Sequence, residues 1–68
     1  MTISLNGERR EVADGATVLT AVEVAGAAAG GRGVAVAVDG EVVPQAEWPD
    51  TRLTEGQAVE VLHAVQGG

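Results

Sequence analysis

The chain has 68 residues, a formal net charge of −6 and no cysteine. At that length folding hides only roughly 60% of the unfolded surface, so one thin-cored domain is expected. Disulfides, thiolate metal cages and thiol nucleophiles are excluded, and the negative charge argues against nucleic acid and anionic membrane surfaces, both of which are met with Lys and Arg. The charge either draws the chain to a basic groove on a partner or only keeps it soluble. Phe and Tyr are absent and Trp48 is the only aromatic, so the core must be built from Val, Leu, Ile and Ala.

No apolar run approaches the ~20 residues of a membrane helix. No basic segment followed by an apolar stretch opens the chain, so no signal peptide is expected and the cytoplasm is the expected location. All four basic residues are arginines. With no lysine, the chain offers no side-chain amine for an isopeptide bond to itself.

Thr2-Ile3-Ser4-Leu5 alternates polar and apolar residues, as a half-buried strand does. Asn6-Gly7 tolerates the positive φ angles of a type I′ hairpin turn, and Glu8 to Val12 reads as the returning strand, polar and at an edge, with Val12 as its anchor. Asp14-Gly15 is a turn. Thr17 suits a helix N-cap, and Val18, Val22 and Ala25 follow at helical spacing with Leu19 and Ala21 beside them, while Val24 falls off the stripe. This helix is expected to end between residues 26 and 30. The Gly/Ala-rich stretch 26–33 reads as a fraying helix end and a loop, and its single Arg32 is too little for an RGG-like RNA segment.

Val34 to Val38 is an unbroken apolar run, expected to be a central strand buried on both faces. Asp39-Gly40 is a second hairpin signal, Glu41 to Val43 returns, and Pro44 ends the pairing because it has no N–H. Gln45 to Thr51 should be a turn or short 3₁₀ segment, Arg52-Leu53 a brief strand, Glu55-Gly56 a turn, and Gln57 to Val65 the last strand. In that strand Val59 and Val61 share one face, and Glu60, Leu62 and Ala64 the other. The order is hairpin, helix, hairpin, short crossover, strand. This predicts an α+β fold with one helix packed across one face of a mixed sheet, the ubiquitin-like β-grasp arrangement. Residues 1–65 form the domain and residues 66–68 a flexible, reactive C-terminal tail. A monomer is assumed.

Little in the sequence supports catalysis. One histidine without cysteine does not make a typical zinc site, so no metal is expected. Ser4, the only serine, has no base near it in the hairpin. There is no phosphate-binding G-x-x-x-x-G-K-[ST] loop. His63 is expected near the end of the sheet with its ring partly wet, and Trp48 as a core plug with its indole N–H bonded to a carbonyl. The acidic residues fall mostly at turns and exposed strand positions, as a solvated surface.

The chemistry-bearing feature is the end, Gln66-Gly67-Gly68. Two glycines after a strand put a carboxylate on a stalk without Cβ atoms, able to thread a narrow channel into another protein's active site. Attack of that carboxylate on ATP gives an acyl-adenylate. A sulfur nucleophile then displaces AMP and leaves a thiocarboxylate.

Val34-Ala35-Val36-Ala37-Val38-Asp39-Gly40-Glu41-Val42-Val43-Pro44, Glu47-Trp48, Thr51, Leu53, Glu55-Gly56, Val59-Glu60-Val61-Leu62 and Ala64-Val65-Gln66-Gly67-Gly68 closely resemble the ThiS family, the sulfur carriers of thiamine biosynthesis. The resemblance covers the whole chain and is most specific from Val34 onward. It departs at Asp39, where the family often has Asn, at Pro49 after Trp48, and in the loose stretch 26–33. The resemblance implies a β-grasp carrier, not an enzyme, with no bound cofactor. It implies that Gly68 is adenylated by a ThiF-type enzyme using ATP. Sulfur would arrive through a cysteine-desulfurase route and leave to a ThiG-type thiazole synthase. Gly67 and Gly68 match the family's motif directly, and with Gln66 they would enter the partner's active site. Leu62, Ala64 and Val65, which lead into the tail, are the expected partner surface. The alternatives are a sulfur carrier for molybdopterin or an amino-acid pathway, a non-reactive ubiquitin-like interaction module, and a protein modifier.

Overall fold

A computed structural model describes residues 1–27 and 33–63. The elements are β1 (Thr2–Leu5), β2 (Glu8–Glu11), α1 (Val18–Val24), β3 (Val34–Val38), β4 (Glu41–Val42), a 3₁₀ helix (Gln45–Asp50) and β5 (Ala58–His63). The strands form one five-stranded mixed sheet in the order β2-β1-β5-β3-β4. Only the β1–β5 pair is parallel. This is the β-grasp arrangement that the order of sequence signals predicts.

Both hairpins close on the expected turns. Asn6 and Gly7 have φ of 52° and 84°, and Asp39 and Gly40 have 50° and 86°. Paired positive φ angles are the type I′ geometry, whose twist matches that of the strands it joins. β2 is exposed throughout, as the expected edge strand. Half-buried Val12 anchors it, donating its N–H to the Met1 carbonyl at 2.8 Å.

α1 starts at the N-cap Thr17, whose N–H donates to Thr20 Oγ1 at 3.2 Å. It presents Val18, Ala21 and Val22 to the core, all fully buried. The helix ends at Val24, before the expected residues 26–30. The cause is Gly26, held at φ 80°. Its N–H donates to Glu23 O at 3.0 Å, and that of Ala27 to Val22 O at 3.1 Å. These are the two reversed bonds of a Schellman stop, in which the left-handed glycine follows the cap and lies outside the helix. Buried Val22 and Ala27 supply the apolar contact that accompanies it.

β3 departs from expectation more instructively. It is paired on both edges, but β5 occupies the centre of the sheet. Its burial also alternates: Val36 and Val38 face the core, whereas Ala35 is exposed and Ala37 half-buried. The one described α-helix packs on one face of the sheet, so the unbroken apolar run supplies a single core face. Its alanines lie on the open face, where their small side chains expose little apolar area. Arg52 makes a single antiparallel bridge to Thr17 in place of the brief strand. β5 begins at Ala58, and its expected last residues, Ala64 and Val65, lie outside the described residues.

The core joins Ile3 and Leu5 of β1, the buried face of α1, Val36 and Val38, Trp48, Leu53, and Val59 and Val61 of β5. Trp48, 2% exposed, is its largest member. Its Nε1–H donates to Val43 O at 2.9 Å, so the polar end of the indole is satisfied and the rest of the ring fills space that aliphatic residues leave. Trp48 is the core plug expected of it.

Candidate functional site

β5 is built to hold whatever follows it. It lies between β1 and β3, with Val59 and Val61 1% and 3% exposed against the helix. Two turn side chains secure its backbone. Asn6 Oδ1 accepts the Val61 N–H at 2.8 Å, and Asp39 Oδ1 accepts the Ala58 N–H at 3.0 Å. Asn6 and Asp39 therefore do double duty, supplying the positive φ of their turns and a partner for the central strand. In the β3–β4 hairpin, Asp at position 39 serves as well as the Asn often found in the family the sequence resembles.

The strand delivers Leu62 to the open face, where it is 62% exposed. Leu62 lies directly opposite Ala35, and Ala37 lies between Glu60 and Val42. Val42 is 74% exposed. Residues directly opposite in a sheet share a face. Leu62, Ala35, Ala37 and Val42 thus form an apolar band across three strands, with Glu60 within it. Leu62 and Val42 are the most exposed large apolar side chains among the described residues. Leu62 was expected on this face from strand period, and Val42 and Ala35 join it there through the strand register. Their signal was the period-2 alternation of β3, hidden because every residue in the run is apolar.

Of the expected contact residues, Leu62 is on the surface, while Ala64 and Val65 lie outside the described residues, as do Gln66, Gly67 and Gly68. Five residues follow His63, the last of them Gly68. An extended chain of that length reaches at most ~17 Å, enough to carry a carboxylate well into a second protein. His63 closes β5 with its side chain exposed, as expected.

Among the described residues no polar or charged side chain is buried, and no group of three or more His, Cys, Asp or Glu residues is placed to hold a metal. Ser4 lies between Arg9 and Ala58 in the sheet, neither of them a base. A surface depression of about 690 Å³ is lined by Ser4, Arg9, Glu55 and their neighbours in the first hairpin and the Glu55-Gly56 turn.

The ThiS family model matches residues 3–68. The chain belongs to the ThiS family. Among solved structures, the crystal structure of the thiamine biosynthesis protein ThiS from Geobacter metallireducens superimposes with a TM-score of 0.79 at 28% identity, covering 100% of both chains. No curated protein matches the chain. Family and fold together make this ThiS-family chain a sulfur carrier and not a catalyst. ThiS-family proteins work with ThiF-like and ThiG-like partners.

Proposed function

We propose that the protein carries sulfur as a thiocarboxylate on Gly68 for formation of the thiazole ring of thiamine. The observation that carries this reading is the family match running through residue 68, so that it includes the Gly67-Gly68 end. In the first step an oxygen of the Gly68 carboxylate attacks the α-phosphorus of ATP and pyrophosphate leaves. In the second, hydrosulfide attacks the acyl carbon, the C–O bond to AMP breaks, AMP leaves and the thiocarboxylate remains. Where the sulfur arrives as a persulfide, the same displacement gives an acyl disulfide, and a thiol reductant then cleaves its S–S bond, releasing the thiocarboxylate and itself ending in a disulfide. A ThiF-type enzyme performs the adenylation, a cysteine-desulfurase route supplies the sulfur, and a ThiG-type thiazole synthase consumes it, all in the cytoplasm. Residues 1–65 act as the domain and residues 66–68 as the reactive tail.

The carrier itself supplies placement. Gly67 and Gly68 enter the partner's active site behind Gln66, and the surface from Leu62 through Ala64 and Val65 seats the partner. The described part of that surface extends across Ala35 and Val42. The chain has neither lysine nor cysteine, so the activated acyl group meets no side-chain amine or thiol of its own carrier.

Thiocarboxylated protein mixed with a ThiG-type synthase and its other substrates tests the thiamine assignment. The thiazole product should form while the carrier returns to the carboxylate. A carrier that holds its sulfur against an active thiazole synthase, yet yields it to a molybdopterin or amino-acid enzyme, would reassign the pathway.

A further inference from the structure

We infer that the open edge of β5 at His63 is a strand-addition site for an extended segment of the adenylating enzyme. This rests on the carrier reading given above. The two edges of β5 differ. On the β3 side it is paired to its end, through Val34 opposite His63. On the β1 side the ladder stops at Leu5 opposite Val59. The Asn6 N–H still reaches Val59 O at 2.9 Å, the Asn6 side chain takes the Val61 N–H, and the chain then turns away into β2.

Backbone groups of alternate strand residues point to the same edge. The Val61 N–H faces the β1 side, so the His63 N–H faces it too. The bond from Val43 N–H to Val36 O at 2.9 Å confirms the phase: Val36 bonds outward to the β4 side, so Val36–Val61 and Val34–His63 are non-hydrogen-bonded pairs of the β3–β5 ladder. Past the Asn6 side chain, no described residue pairs with the Val61 carbonyl or the His63 N–H.

An unpaired edge is a template for another strand. This one opens at the last described residue before the five that lead to Gly68. An enzyme that brings Gly68 to a phosphorus atom must accept those residues in extended form, and an extended backbone entering a protein requires hydrogen-bond partners along its length. A segment of the enzyme added at His63, in line with β1 and beyond the exposed Asn6-Gly7 turn, supplies the first of them and fixes the direction in which the tail leaves. It lies in the plane of the sheet, so it is distinct from contacts to the face bearing Leu62.

The test compares His63→Pro with His63→Ala in the full chain. Proline removes an N–H that no pairing of the free carrier uses, a position where strands tolerate it, and alanine controls for loss of the imidazole. Calorimetric titration into a ThiF-type enzyme should show His63→Pro binding about tenfold more weakly than His63→Ala, the size expected for one backbone hydrogen bond. Equal affinity with the fold intact overturns the inference. Amide exchange on the wild-type chain decides the matter if the proline variant does not fold: the His63 N–H should exchange fast in the free carrier and be protected in the complex, and equally fast exchange in both overturns it. A wild-type chain that an active enzyme neither binds nor adenylates overturns the carrier reading and this inference with it.

Discussion

Asn6 Oδ1 accepts the backbone N–H of Val61 at 2.8 Å, across 55 positions of sequence. A turn side chain thereby substitutes for the next rung of the β1–β5 ladder, at the point where β1 has run out. Asn6→Gly keeps the positive φ and removes the acceptor. It should cost about 1 kcal/mol in urea unfolding, the usual net worth of such a bond, and should speed amide exchange at Val61. An unchanged midpoint would show that water replaces Asn6 at no cost.

Trp48→Phe should leave Val43 O without its indole partner and cost about 1–3 kcal/mol. Trp48→Ala opens a cavity in a core with no other aromatic, with an expected cost of about 3–5 kcal/mol. Small domains have only about 5–15 kcal/mol in total. The alanine variant should therefore be largely unfolded at 37 °C by circular dichroism, and a cooperative transition near the wild-type midpoint would contradict the plug assignment.

Gly26→Ala tests the helix stop. An added Cβ meets nothing within 4 Å, so any cost comes from the φ of 80°. A loss of about 1 kcal/mol is expected in thermal unfolding. Stabilisation would mean that the helix extends past Val24 without penalty.

Leu62→Asp places a charge in the apolar band without touching the core. Binding to a ThiF-type enzyme should weaken at least tenfold while the thermal midpoint stays within a few degrees. Val42→Asp, on the same face, provides a second point. Calorimetry showing wild-type affinity for both variants would remove the open face from the docking surface.

Much of this was legible in the sequence because local chemistry and the fold agree. Asn6-Gly7 and Asp39-Gly40 name their turns, Thr17 its cap, and Pro44 the end of β4. Other features were hidden for physical reasons. The run Val34 to Val38 has no polar residue, so its alternation could not be read until pairing placed Ala35 opposite exposed Leu62. The helix end was obscured by a stretch of Gly and Ala in which no local signal marks Gly26 as the left-handed stop, supported by Val22 and Ala27. The hydrogen bonds from Asn6 and Asp39 to β5 are long-range and leave no local trace. For the candidate site, Leu62 was legible from strand period and the tail from its two glycines, whereas Val42 became part of the surface only through register.

Deleting Gly68 should abolish adenylation and leave the thermal midpoint unchanged, because it leaves the core of the described residues, from Ile3 to Val61, intact. ATP–pyrophosphate exchange with a ThiF-type enzyme reads the first effect and differential scanning calorimetry the second. Adenylation of the truncated chain would move the reactive carboxylate away from Gly68.

The most direct test of the account is intact-mass spectrometry after incubation with a ThiF-type enzyme, ATP and a sulfide source, with fragmentation to locate the change. The account predicts replacement of one oxygen by sulfur at Gly68. Fragmentation is essential because oxidation at Met1 or Trp48 shifts the mass almost equally. An unmodified Gly68, with an enzyme shown to be active on its own carrier, would contradict it.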